Sequence, residues 1–140
     1  MPDSFAPGPS HPSAAPLLAG AALLDAEKMR VYQLAVEFQT LAAGLVPRQR
    51  GVLLATLRDQ LDRASVSIVL NVAEGAGRFS PPDKARFYAI ARGSATECGA
   101  LVDLLLARRL VSAPTHQAAR GLVVRIVQML TRLTASMAAR

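Results

Sequence analysis

Apolar residues recur three and four positions apart along almost the whole chain from Asp25 onward, which is the spacing of one face of an α-helix. The pattern predicts four helices, at about residues 25–44, 49–76, 81–110 and 114–138. No segment alternates between apolar and polar residues with a period of two, so strands are not expected. Four long helices with short connections indicate an all-α fold, an antiparallel up-down-up-down four-helix bundle.

Proline, serine and glycine mark the ends of the predicted helices. Ser80-Pro81-Pro82-Asp83 is the clearest helix start, because serine caps free backbone amides and proline suits the first helical position. Gly75 and Gly77 are expected to end the second helix in a left-handed turn, which glycine adopts without steric cost. Residues 1–24 contain five prolines in the first sixteen positions and are predicted to be a disordered tail ahead of a bundle of residues 25–140.

The apolar stripes also predict which side chains form the core. In the second helix the stripe comprises Leu54, Leu57, Leu61, Ala64, Ile68 and Val72. In the third helix it comprises Phe87, Ile90, Ser94, Cys98, Leu101 and Leu105.

A line of polar residues follows the second helix and is not explained by the apolar pattern. This polar seam consists of Arg63, Ser67, Asn71 and Glu74, spaced four, four and three positions apart and therefore on one side of the helix. If the connection to the third helix is a tight turn near residues 79 and 80, the expected partners are Glu97 for Arg63, Arg92 for Ser67, Tyr88 for Asn71, and Lys84, Arg86 or Arg78 for Glu74.

Two interpretations of the polar seam are open. It can be a solvated helix face with weak ion pairs, or a partly buried network that sets helix register and subunit contacts. Asn and Ser, rather than Glu and Lys, favour the network. The predicted network comprises Arg63, Ser67, Asn71, Glu74, Arg78, Tyr88, Arg92, Ser94 and Glu97.

The sequence contains no recognisable catalytic motif. Gly75-Ala76-Gly77-Arg78 resembles a phosphate-binding loop only in its glycines, since it follows a helix and lacks the Gly-Lys-Ser/Thr ending. Two histidines and one cysteine are too few for the usual zinc sites, and Cys98 is expected to be a small buried apolar residue. We therefore expect no enzyme, no metal and no cofactor.

The chain is basic, with 16 Lys and Arg against 10 Asp and Glu, and no acidic residue follows Asp103. The candidate contacts to nucleic-acid phosphates are Arg48, Arg50, Arg108, Arg109, Arg120, Arg125 and Arg132. These arginines could instead simply solubilise exposed helix faces. Only 4% of residues are aromatic, which disfavours sequence-specific reading of single strands.

The compartment is inferred from what the N-terminal segment lacks. No Lys or Arg precedes the short apolar stretch at residues 17–24, which argues against a secretory signal. No run approaches the roughly 20 apolar residues of a membrane-spanning helix. A single cysteine suits a reducing compartment, so a cytoplasmic protein without membrane contact is predicted.

Longer motifs resemble a known family. They are residues 71–78 (NVAEGAGR), 83–88 (DKARFY) and 91–97 (ARGSATE), and residues 31–37 and 60–68 also match, so the likeness covers about residues 25–110. These segments resemble the four-helix-bundle proteins encoded in intervening sequences of bacterial 23S ribosomal RNA genes. Those proteins are similar to the accessory variability determinants of diversity-generating retroelements.

The resemblance implies a left-handed four-helix bundle that assembles into a homopentameric ring. It also implies that the polar seam lies in the contacts between subunits or in the interior of the ring. For the retroelement relatives it also implies nucleic-acid binding and docking of a reverse transcriptase. Our hypothesis is a non-enzymatic, oligomeric, basic scaffold that associates with RNA or DNA phosphates. The alternative is a pure protein-interaction scaffold without a nucleic-acid role.

Overall fold

The computed structural model describes residues 23–48 and 51–140. A short 3₁₀ turn is followed by four α-helices: the turn spans Asp25–Lys28, α1 Arg30–Ala42, α2 Val52–Gly77, α3 Pro81–Ala107 and α4 Ala113–Ala138. Over these described ranges there is no strand, so the all-α expectation is confirmed. The predicted tail falls outside the described residues except for its last two positions.

The helix bounds differ from the predicted ones mainly at the two ends of α1 and at the end of α3. The first predicted helix, at 25–44, is divided because Met29 has extended backbone angles, with φ −93° and ψ 129°. The turn before Met29 and α1 after it are therefore separate elements. The third predicted helix, at 81–110, ends at Ala107.

Serine and proline begin both α3 and α4. Ser80 Oγ accepts a hydrogen bond of 3.3 Å from the backbone N–H of Asp83, and prolines occupy the first helical positions. Ser112 Oγ accepts a 3.3 Å bond from the N–H of Thr115 in the same way. Each serine satisfies one of the backbone donors that a helix start leaves free.

The left-handed turn expected at Gly75 and Gly77 is wrong. Among described residues only Gly51, with φ 154°, and Arg109, with φ 57°, have positive φ. Arg109 closes α3: its N–H bonds to Leu106 O, and the N–H of Leu110 bonds to Leu105 O at 2.8 Å. The left-handed position after α3 is therefore occupied by an arginine rather than the usual glycine.

One apolar core joins all four helices. Its largest fully buried side chains are Phe38, Leu34, Leu61, Ile68, Leu105, Ile126 and Leu130. In α2 the predicted stripe is buried from Leu57 to Val72, while Leu54 is partly buried. Because α2 contacts α1 and α3, and α4 contacts α3 and α1, the arrangement is consistent with a four-helix bundle.

The predicted core stripe of α3 is partly wrong. Ile90 is 44% exposed, and the buried residues at that end of the helix are Tyr88, Ala91 and Ala95. Residues 98, 101 and 105 are buried as expected. A helix turns by about 100° per residue, so a small rotation of α3 brings Tyr88 into the core and turns Ile90 outward.

Within the described residues, no helix has a stretch long and apolar enough to cross a membrane.

Candidate functional site

The polar seam joins α2 to α3 at its first position through an ion pair. Arg63 Nη2 donates a 2.6 Å hydrogen bond to Glu97 Oε1, which is the pairing that reflection across the α2–α3 turn predicts. The Arg63 side chain is 64% exposed and that of Glu97 is 40% exposed. At the level of Arg63 the polar seam is therefore a surface ion pair, and such pairs contribute at most about 1 kcal/mol to the stability of a fold.

One turn further along α2 the seam becomes half-buried. The hydroxyls of Ser67 and Ser94 share a 2.8 Å hydrogen bond between the two helices. Asn71 Nδ2 donates to the backbone oxygen of Ser67 at 2.9 Å and to its Oγ at 3.0 Å. Ser67, Asn71 and Ser94 therefore form a small connected network between α2 and α3 within one chain.

Arg92 does not take part in this network, so its predicted pairing with Ser67 is wrong. Its Nε donates a 2.7 Å hydrogen bond to Thr131 Oγ1 on α4, and Thr131 in turn donates to the backbone oxygen of Val127. Arg92 is two positions from Ser94, and two helical positions differ by about 200°. It consequently lies on the α4 side of α3, away from the polar seam.

Tyr88 lies in the core rather than opposite Asn71, so that predicted pairing is not found. Its ring packs against Gly75, where an added Cβ would be only 2.8 Å from Tyr88 Cε1. The hydroxyl contacts Met29 Sδ at 3.9 Å. Burial raises the pKa of the Tyr88 hydroxyl, and the negative charge of Asp25 raises it further. The close approach of two helices therefore explains why position 75 is a glycine.

Two cations, Arg78 and Lys84, lie where the polar seam and α2 end. Glu74 forms an ion pair with Arg78, one turn later on the same chain segment. Lys84 is not the partner of Glu74: its Nζ donates to the backbone oxygens of Gly75 at 3.3 Å and Ala76 at 2.8 Å. Lys84 thus caps the free carbonyl end of α2 from the first turns of α3.

Aromatic and arginine side chains meet at the α2–α3 turn. The guanidinium carbons of Arg78 and Arg86 lie 4.7 Å and 4.5 Å from the centre of the Phe87 ring. Phe79 is fully exposed. It borders an open groove of about 310 Å³ that is also lined by Ala73, Glu74, Gly77 and Arg78. The sequence pattern did not single out Phe79, because a lone aromatic residue in a turn has no periodic signal.

The candidate phosphate contacts are dispersed: Arg48 precedes α2, and the other described ones lie in the α3–α4 connection and on α4. Those that the structure describes are exposed: Arg48, Arg108, Arg109, Arg120, Arg125 and Arg132. Arg50 lies outside the described residues. None of these six forms an ion pair with another described residue, whereas Arg63 and Arg78 do.

Arg125 and Arg132 form the best-defined pair among these arginines. They are seven positions apart on α4, which is close to two full helical turns, so they share one helix face. Arg132 also lines an apolar groove of about 410 Å³ between α4 and α1, together with Met129 and Leu133. Arg30, at the start of α1, borders the same groove. Arg30 is not among the sequence-predicted phosphate contacts, because only the packing of α1 against α4 brings it close to Arg132.

An exposed apolar surface runs beside the polar seam. This outer face comprises Val66 and Leu70 on α2 and Ile90 and Leu104 on α3, with Leu70 being 62% exposed. The Ser67–Ser94 contact places Leu70 and Ile90 at the same level of the helix pair. The four apolar side chains of the outer face therefore lie on the same two helices as the exposed Arg63–Glu97 ion pair.

Cys98 and His116 are two further described side chains with potentially reactive groups. Cys98 is buried, and burial raises the pKa of its thiol to about 12, so it is neutral near neutral pH. His116 Nε2 contacts Asp103 Oδ1 at 2.7 Å. No group of three potential metal ligands occurs among the described side chains.

The chain matches a known family over most of its length. The model of the 23S rRNA-intervening sequence protein family matches residues 27–132, which is well over half of the chain. The chain belongs to this family. No curated protein matches it. The matched segment of this 23S rRNA-intervening sequence family member contains the whole polar seam, the α2–α3 turn and the arginines of α4 as far as Arg132.

Proposed function

We propose that the protein is a non-enzymatic, self-assembling helical scaffold in the cytoplasm that binds the phosphate backbone of RNA or DNA. The observation that carries this proposal is the set of exposed arginines after Asp103 that have no ion pair with a described residue. An arginine without a carboxylate partner keeps its full charge for a polyanion. Phosphate contacts of this kind are insensitive to base sequence.

The α4 arginines are the strongest part of the proposed interface. Arg125 and Arg132 project from one face of α4, and Arg30 lies beside Arg132 at the α1–α4 groove. Three cations on two adjacent helices can follow a phosphate backbone, and arginine binds phosphate oxygens with two donors at once. Arg108 and Arg109 extend the basic surface at the other end of α4, in the α3–α4 connection.

We propose an antiparallel bundle as the subunit. The contacts between α2 and α3 support it, since partner numbers fall along α3 as they rise along α2: Arg63 contacts Glu97, Ser67 contacts Ser94, and Gly75 approaches Tyr88. Short connections between successive helices also favour antiparallel neighbours.

We further propose that the subunits assemble through the outer face into the homopentameric ring that the family resemblance implies. Val66, Leu70 and Ile90 leave large apolar side chains in contact with water, which is unfavourable in an isolated chain. Gly93 lies on the same helix as Ile90, and no atom would obstruct a Cβ there, so the subunit by itself does not require glycine at that position. Close approach of a second copy would account for it.

Nucleic-acid binding is tested by titrating labelled duplex RNA and duplex DNA of unrelated sequence at increasing salt concentration. We expect the protein to bind the duplex RNA and the duplex DNA with similar affinities, and both affinities to fall steeply as the salt concentration rises. The double variant Arg125→Gln, Arg132→Gln should lower the salt slope by about one per arginine removed. Arg58→Gln is the control, because it removes one positive charge from α2, outside both the α4 arginines and the outer face. Absence of binding at low salt would exclude the proposal.

The second candidate function is a protein-interaction scaffold, and the exposed apolar outer face is the observation that favours it. In that case the ring docks a partner enzyme such as the reverse transcriptase that the resemblance implies, and the positive charge has no binding role. The salt titration separates the two: a scaffold of this kind forms an oligomer but does not retain RNA or DNA at low salt.

A further inference from the structure

The turn between α2 and α3 exposes an aromatic ring completely. Phe79 follows Arg78 and precedes the serine that caps α3, so both of its neighbours are fixed by contacts of their own. Ser80 accepts a hydrogen bond from Asp83, and Arg78 is held by Glu74. The ring is therefore presented to water by a turn that is anchored on both sides, although large apolar rings are normally buried.

Phe79 shares its groove with one planar group, the guanidinium of Arg78, which also contacts a second aromatic ring at the start of α3. Arg78 and Arg86 lie over Phe87 with their guanidinium carbons within 4.7 Å of the ring centre. The groove beside Phe79 is open, is lined by the Glu74–Arg78 ion pair, and has a volume of about 310 Å³. An aromatic face and a guanidinium plane are the two surfaces on which unstacked bases pack.

We propose that the α2–α3 turn is a stacking site for an unpaired base of single-stranded nucleic acid, with Phe79 as the platform. A base stacks on the exposed ring, while Arg78 and Glu74 offer donors and acceptors to its edge and Arg86 contacts the adjacent phosphate. The site has one aromatic platform and recognises an unstacked base without reading a sequence.

The local charges favour a nucleic acid over a protein segment as the occupant. Around the turn lie the cations Arg78, Lys84 and Arg86 and the carboxylates Glu74 and Asp83. Lys84 is turned toward the carbonyl end of α2 and Glu74 is neutralised by Arg78, so Arg86 remains as the cation available to a phosphate. The groove is small and open, which suits a flat base better than a helix or a strand.

This inference deepens the proposed function but depends on a different part of the surface. Duplex binding uses the α4 arginines and offers no unstacked base, whereas the Phe79 platform acts only on single strands. The probes are accordingly a labelled oligouridylate and a duplex RNA of equal length, titrated against the full chain at one salt concentration. Phe79→Leu keeps an apolar side chain but removes the aromatic face, and Phe79→Trp retains it.

We expect Phe79→Leu to weaken oligouridylate binding about tenfold and to change duplex binding less than about twofold. Phe79→Trp should bind at least as well as the native chain. Because the chain has no other tryptophan, its fluorescence should be quenched by oligouridylate and not by the duplex. Val52→Ala, at an exposed apolar position on α2 outside the site, is the control and should bind both probes normally.

The inference is wrong if Phe79→Leu binds oligouridylate as tightly as the native chain does, or if it loses affinity for oligouridylate and for the duplex equally. It is also wrong if Phe79→Leu changes the oligomeric mass, because Phe79 would then belong to a subunit contact. The proposed function fails separately. Duplex binding without an effect of Phe79 would retain it and reject the stacking site. Phe79-dependent binding of oligouridylate without duplex binding would retain the stacking site and reject the phosphate interface.

Discussion

Gly75 and Gly121 both lie inside helices, but only one of them is required by the packing of the chain. A Cβ at position 75 would be 2.8 Å from Tyr88 Cε1 and 3.2 Å from Phe87 Cβ. At position 121 nothing lies within 4 Å of the corresponding atom. A glycine in a helix interior costs about 1 kcal/mol relative to alanine, so the cost at position 75 is offset by the close contact with the buried tyrosine.

Gly75→Ala is therefore expected to lower the free energy of unfolding by about 1–3 kcal/mol, since the tyrosine ring must move out of a packed position. Gly121→Ala, the matched control, should raise it by up to about 1 kcal/mol. Urea denaturation followed by circular dichroism measures both. A neutral effect at position 75 would show that Tyr88 can move without cost.

The thiol of Cys98 is expected to be unreactive in the folded chain. Its pKa is raised to about 12, first by burial and second by the negative charge of Glu97. The thiolate is the reactive form, so a thiol reagent near pH 8 should label the folded protein far more slowly than the protein unfolded in guanidinium chloride. Fast labelling of the folded protein would contradict the burial of this side chain.

The same raised pKa predicts a loss of stability at alkaline pH. Between the ordinary thiol pKa of 9.0 and about 12, the unfolded chain loses the proton that the folded chain keeps. The unfolded state then binds fewer protons, and the free energy of unfolding falls as pH rises through this window. Cys98→Ala should show a smaller decrease than the native protein, and equal decreases would contradict the assignment to the thiol.

At the scale of elements, Lys84 connects the end of α2 to the start of α3. Its Nζ donates to two of the carbonyls that α2 leaves free, at 2.8 Å and 3.3 Å. Lys84→Met preserves most of the aliphatic stem and removes the donors. We expect it to destabilise the fold by about 1 kcal/mol in thermal denaturation. Lys28→Met is the control, because Lys28 is exposed and its ion pair with Asp25 lies at the surface; an equal effect there would count against the cap.

The polar seam divides into an exposed part and a half-buried part. Arg63 and Glu97 are exposed enough that water screens their attraction. Arg63→Ala is therefore expected to change the free energy of unfolding of the chain by less than about 1 kcal/mol. A double-mutant cycle with Glu97→Ala isolates the coupling between the two side chains, and a coupling well above this value would mean that the pair is buried by another copy.

At the scale of the whole molecule, the apolar outer face and the basic α4 surface lie on different helices. Leu70→Arg introduces a charge at the most exposed residue of the outer face and is expected to reduce the oligomer to smaller species in multi-angle light scattering, because an arginine cannot be buried without a partner. Val52→Arg is the control at an exposed position near the start of α2. A monomeric native protein at micromolar concentration would reject self-assembly through this face.

Much of the helical architecture follows from local signals in the sequence. The period of apolar residues predicts four helices, and Ser80 with Pro81 predicts the start of α3 to the residue. The Arg63–Glu97 contact also follows, from the length of one tight turn. The predictions are less successful at Met29, whose extended backbone divides the first predicted helix, and at Ile90, where the rotation of α3 decides which side chains are buried.

The amino-acid sequence by itself determined the helical class, the starts of α3 and α4, the basic second half and the family, because these depend on residue types and on neighbours a few positions away. Tertiary structure alone decided that Ser67 contacts Ser94 while Arg92 bonds to α4, that Tyr88 is buried against Gly75, and that Phe79 is exposed. Neighbouring positions on a helix point about 100° apart, so the rotation of each helix against its partners chooses which of them meet.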